Sequence, residues 1–94
     1  MTSSPAGTTP QAAGSNAHII TLLSRAGCHL CDEARSVIAR VASDLGVQWT
    51  ERDVTWSADD LSTYGEMIPV TLINGVQHDF WRVDENRLRR ALAG

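Results

Sequence analysis

A small α/β fold is predicted, with element order β-α-β-α-β-β-α and a four-stranded mixed sheet flanked by helices. Three observations predict it. An apolar run at residues 18–23 leads into Cys28-His29-Leu30-Cys31, which holds both cysteines of the chain. An apolar face of helical period follows at once, and Asn74-Gly75 separates two strand-like runs further on.

The 94 residues carry no repeat, which limits the chain to one domain. Residues 1–17 are mostly Ser, Thr, Ala, Gly and Pro, with no charged side chain. So little apolar surface cannot offset the entropy of ordering, so this stretch is expected to be a disordered tail, with the domain over residues 18–94. The tail lacks the positive and apolar regions of a secretory leader, and no apolar run nears the about 20 residues of a membrane span. The expected setting is the cytoplasm, with no membrane partner. A net charge of −3 argues against a nucleic-acid surface, which needs a clustered basic footprint.

Residues 18–23 read as a buried strand and residues 24–27 as a loop. Beyond Cys31, Ala34, Val37, Ile38, Val41 and Leu45 recur at helical spacing, and Gly46 suits the position after the helix end. Cys31 then faces the core, while Cys28 sits at the exposed N-terminal tip. Free N–H groups and the macrodipole there favour a thiolate, the nucleophile of disulfide exchange. Val47, Trp49, Thr50 and Val54 mark a second strand, followed by a loop at Thr55-Trp56. Ser57 and Asp60 resemble a capping box for a short second helix with an apolar pair at Leu61 and Tyr64, ending at Gly65. Residues 70–73, the Asn74-Gly75 turn and residues 76–81 form an antiparallel hairpin. Asp84 is an N-cap for a last helix, with Val83 and Leu88 spaced as a hydrophobic staple.

Two cysteines three apart form a poor structural staple, since a four-residue ring contributes only roughly 2 kcal/mol before native-state strain is subtracted. In a reducing compartment such a pair is a redox or metal-binding motif. Arg25 is a fixed cation three residues before Cys28, and His29 can add a hydrogen bond or partial charge, so both are candidates for tuning the thiolate. Asp32 and Glu33 suit the helix dipole but repel a thiolate. Tetrahedral zinc or an iron-sulfur cluster needs four ligands, so with one close cysteine pair zinc would require a dimer and a cluster would require assembly or added thiols. His18 and His78 read as strand residues. Trp49 and Tyr64 read as packing residues, and Trp56 and Trp81 as candidate rims for a protein substrate.

The element order, the Cys-x-x-Cys at a helix start, Tyr64-Gly65-Glu66-Met67-Ile68-Pro69-Val70 and Trp81-Arg82 together resemble the thioredoxin superfamily in its minimal glutaredoxin-like form. The closest resemblance is to short bacterial glutaredoxin-like proteins. It covers residues 18–94. The resemblance implies a monomeric thiol-disulfide oxidoreductase in which Cys28 attacks and Cys31 resolves. It needs no cofactor beyond a thiol reductant, with glutathione as a candidate, and a disulfide-containing protein or small thiol as substrate. It implies that the Ile68-Pro69 bond is cis, although only about 5 to 6% of X-Pro bonds in folded proteins are. Ile68 would then offer backbone groups to a substrate. Arg25 and Asp84 occupy places that would hold the two ends of glutathione, but Leu30 replaces an aromatic residue, and Trp81-Arg82-Val83 replaces a glycine pair. The alternative reading is a non-catalytic thioredoxin-fold module that binds a partner or scaffolds a metal or iron-sulfur group.

Overall fold

The computed structural model describes residues 17–93; the tail predicted over residues 1–17 lies outside them apart from Ala17. The elements are β1 (Ile19–Ser24), α1 (His29–Leu45), β2 (Gln48–Asp53), a 3₁₀ turn (Val54–Trp56), α2 (Ala58–Tyr64), β3 (Val70–Ile73), β4 (Val76–Phe80) and α3 (Glu85–Ala93). The predicted β-α-β-α-β-β-α order is present. The sheet runs β2-β1-β3-β4, with β1 and β2 parallel and the other two pairings antiparallel. Ser24 pairs with Asp53, so β1 and β2 end on the same edge of the sheet.

Central β1 is buried on both faces, which is why it reads as a continuous apolar run. Ile20 and Leu22 pack with Ile38 and Val41 of α1 and Leu88 and Leu92 of α3. Leu23 joins Val54, Val70 and Leu72 in a second cluster, against which Tyr64, Met67 and Ile68 pack. Val83 lies against the first cluster with Leu88, as the staple predicts.

Several boundaries shift for local reasons. The first helix begins at His29, with Cys28 as its N-cap, two residues before the predicted start. Gly46 ends it at φ 68°, the left-handed conformation that glycine reaches without a Cβ penalty. The second strand stops at Asp53, because its side chain accepts from the Thr55 N–H and starts the 3₁₀ turn. Asn74 and Gly75 adopt φ 55° and 82°, as a type I′ turn requires. The hairpin closes at Phe80, one residue earlier than predicted, since Trp81 takes φ 64° and leaves the strand. Thr71 pairs with Asp79 and Leu72 with Gln77, so His78 is the extra residue of a β-bulge.

Candidate active site

The sheet edge where β1 and β2 end also carries the start of α1, and the cysteines stand there. Cys28 and Cys31 are joined as a disulfide with Cα atoms 5.2 Å apart, within the usual range for such a bridge. The extended backbone of Cys28 places its Sγ where a capping oxygen normally sits, and Sγ accepts from the Cys31 N–H at 3.2 Å. Cys31 is fully buried and Cys28 half-buried. One sulfur is therefore approachable and the other shielded, the asymmetry that helix periodicity predicts.

Pro69 is buried and its bond to Ile68 is cis. Leu30, from between the two cysteines, and Ile68 line one groove of about 520 Å³, together with Phe80, Trp81 and Arg82. The fold thus brings the Cys-x-x-Cys turn and the cis-proline segment together. Trp81 is anchored rather than loose. Its backbone N–H donates to the carbonyls of Pro69 at 2.8 Å and Met67 at 3.2 Å, and its indole Nε1–H donates to the Glu66 carbonyl at 3.3 Å. Its ring meets Phe80 edge-on, with centroids 4.9 Å apart, yet Trp81 remains 53% exposed. An exposed aromatic held by this many bonds forms a preorganised apolar wall.

The other predicted site residues stand apart from this groove. Arg25 lines a second depression of about 340 Å³ with Ser24, Arg35, Glu51, Asp53 and Trp56, where its charge helps lower the pKa of Asp53, which hydrogen bonds from Thr55 lower more. Trp56 is 84% exposed there, so the two tryptophans border different hollows. His29 faces solvent, with Nε2 3.5 Å from Glu33. Asp84 accepts from the Arg87 N–H at 3.1 Å, which occupies one of its carboxylate oxygens as the cap of α3.

Phe80 and a charged network near the cysteine turn escape sequence reading, which takes Arg82 only as part of a motif. Arg35 of α1 grips Glu51 of β2 with two hydrogen bonds, at 2.8 and 2.7 Å, and donates to Asp32 at 2.7 Å. Ser24, buried at the end of β1, donates its hydroxyl to the same Glu51 carboxylate. These bonds hold the Glu51 carboxyl below its ordinary range, with Arg35 the main cause, and raise the Arg35 guanidinium above its own. The Asp32 and Arg35 spacing of three residues on a helix is a visible signal of a pair. Glu51 lies 16 residues away, and nothing in one dimension connects it.

Among the described residues no three His, Cys, Asp or Glu side chains gather as a metal-binding group, and no helix is long and apolar enough to cross a membrane.

A mixed four-stranded sheet, a Cys-x-x-Cys turn capping the first helix and a cis-proline entering β3 define a thioredoxin-fold protein of minimal size. The chain belongs to the glutaredoxin-like domain family (DUF836), whose model matches residues 19–93. Uncharacterized proteins of Mycobacterium bovis and Mycobacterium tuberculosis are 35% identical over 79 residues, covering 79% of this chain and 81% of theirs. An X-ray structure of a structural-genomics target from X. campestris superposes with a TM-score of 0.66 at 30% identity, covering 79% of this chain and 95% of that one. A mutant thioredoxin from Halobacterium salinarum gives 0.59 at 21% identity, covering 82% and 73% of the two chains, and shares the fold alone.

Proposed function

We infer that the protein is a thiol-disulfide oxidoreductase that reduces disulfides through Cys28 and Cys31. The observation that carries this reading is the Cys28–Cys31 disulfide at the cap of α1, with one sulfur accessible and the other buried. In the reduced protein, the Cys31 N–H and the positive end of α1 favour an anionic sulfur at Cys28. That thiolate attacks one sulfur of a substrate disulfide, forming a mixed disulfide and releasing the other substrate sulfur as a thiolate that takes up a proton. Cys31 then gives up its proton and attacks the Cys28 sulfur, releasing the second substrate thiol. The substrate gains two electrons and two protons, and the Cys28–Cys31 disulfide forms. A thiol reductant restores the dithiol.

The groove favours a polypeptide disulfide over a glutathione mixed disulfide. Glutathione brings two carboxylates and an ammonium group, whereas the groove is apolar except for Arg82, which already pairs with Glu33 at 3.2 Å. One oxygen of Asp84 is engaged as a helix cap, and Arg25 lies in the other depression. An extended apolar segment matches the walls, and in this reading its backbone pairs with that of Ile68, which lines the groove, in the manner of an added strand. The setting for such a monomeric enzyme is the reducing cytoplasm.

The test is turnover of an insulin-like polypeptide disulfide and of a glutathione mixed disulfide, by the wild type, Cys28→Ser and Cys31→Ser. The reading expects wild-type reduction of the polypeptide, loss of all attack in Cys28→Ser, and a trapped mixed disulfide in Cys31→Ser. A wild type that reduces neither substrate with dithiol or monothiol reductants would remove the enzymatic reading.

A further inference from the structure

The charged network near the cysteine turn has no part in the reaction as written, yet it ties the N-terminal half of α1 to the end of β1 and to β2. Asp32 stands one helical turn after Cys28, on the same side of α1, and its N–H donates to the Cys28 carbonyl at 3.3 Å. An acidic side chain there works against an anionic sulfur. Of the acidic groups near the turn, Glu33 is bridged by Arg82 and His29, and Asp53 is held by Thr55 and shares its depression with Arg25. Asp32 is answered by Arg35, which Glu51 fixes from the strand side through two bonds, with Ser24 fixing Glu51 in turn.

We propose that Arg35, locked in place by Glu51 and Ser24, is a positioning residue that neutralises Asp32 beside Cys28 and thereby sets the thiolate population and reduction potential of the cysteine pair. This rests on the oxidoreductase reading, deepening it from which atoms react to what controls their poise. Arg suits the task better than Lys, because a planar fork can bind the Glu51 carboxylate with two nitrogens and still offer a third to Asp32. Glu51 is the price of rigidity, since it holds the guanidinium still but adds a second negative charge that Arg35 must also offset.

The sign follows from which redox form carries the charge. A thiolate exists only in the reduced protein, so whatever stabilises it favours reduction and raises the potential. Arg35→Gln leaves Asp32 and Glu51 uncompensated, which lowers the thiolate population and makes the pair more reducing. Removing the Asp32 charge, about one helical turn from Cys28 in a mostly aqueous setting, changes such an equilibrium by about three- to tenfold, and removing Arg35, seven residues from Cys28, changes it by less. At 29.6 mV per tenfold change the Asp32 effect corresponds to a shift of roughly 15 to 30 mV.

The experiment has two readouts. Ultraviolet absorbance of the Cys28 thiolate against pH is followed in the Cys31→Ser background, where one thiol titrates. The reduction potential is measured by equilibrating the intact pair with a dithiothreitol buffer. The expected result is that Arg35→Gln raises the titration midpoint and lowers the potential, Asp32→Asn moves both the opposite way, and the double variant returns toward the wild type. A purely structural role for the network would lower melting temperature without this crossing pattern. If Arg35→Gln fails to fold, Asp32→Asn alone decides, and an unchanged titration in that variant overturns the proposal. Absence of any disulfide turnover in the wild type would instead defeat the oxidoreductase reading, while the thiolate titration would still report on Arg35.

Discussion

The backbone N–H of Cys31 donates to Sγ of Cys28 across 3.2 Å, so the accessible sulfur is also the N-cap of α1. One atom caps the start of a helix and, in the mechanism proposed above, is also the nucleophile, and substitution separates the two roles. Cys28→Ser keeps a capping oxygen and removes the thiol, whereas Cys28→Ala removes both. With reductant present in all samples, urea melts should show Cys28→Ser at least as stable as the wild type. Cys28→Ala should be less stable by about 1 kcal/mol, the typical cost of a lost N-cap. Neither variant should turn over a disulfide. Equal stability of the two would mean that the sulfur caps nothing.

Much of this arrangement is legible in the sequence because it is local. The Cys28 cap, the αL conformation of Gly46, the Asn74-Gly75 turn and the Asp84 cap all follow from residue type and short spacing. Gly65 marks the end of α2 as expected, but for a different reason. Its φ of −55° is open to any residue, and a Cβ there would lie 2.5 Å from the Leu61 carbonyl oxygen. The constraint is space rather than chirality, and only the folded chain reveals it. Of the apolar pair the sequence places on α2, only Tyr64 packs against the second core cluster, while Leu61 is 45% exposed. Arg35 and Glu51 meet only once β2 lies parallel to β1, so their link is a product of topology.

The two glycines give a direct comparison. Gly46→Ala meets no atom within 4 Å and suffers only from its positive φ, so unfolding should detect a loss of about 1 to 2 kcal/mol with unchanged near-ultraviolet circular dichroism. Gly65→Ala must displace the last turn of α2, which holds the Gly65 N–H bond to Leu61 at 2.9 Å, and with it Tyr64. Its aromatic dichroism should change. An unchanged spectrum for Gly65→Ala would show that the turn yields without cost.

Acid should act on the seam between α1 and α3. Glu85 is held down to about 2 by hydrogen bonds from Arg40 and then Arg89. Because this carboxyl is depressed in the folded state, its contribution is present above its ordinary value of 4.5 and is lost as pH falls through about 2. Urea midpoints should therefore fall more steeply between pH 4.5 and 2 in the wild type than in Glu85→Gln, with a modest difference because solvent reaches the half-buried Glu85 and Arg89 and the exposed Arg40. Identical slopes would mean that Arg40 and Arg89 do not act on Glu85 in solution.

Trp81 offers the sharpest test of substrate choice, because its backbone and its ring pull in different directions. A tryptophan at φ 64° occupies a conformation that glycine takes far more readily, so Trp81→Gly relieves the main chain while emptying one wall of the groove. The N–H bonds to Pro69 and Met67 need no side chain and should survive. Loss of the ring should raise KM for an apolar polypeptide disulfide by about tenfold, the scale of one aromatic contact. The vacated space should raise turnover of a glutathione mixed disulfide several-fold. Steady-state kinetics with both substrates reads the two effects separately. If the variant gains no glutathione turnover and keeps its polypeptide KM, Trp81 does not select the substrate, and the groove it lines is not where the polypeptide binds.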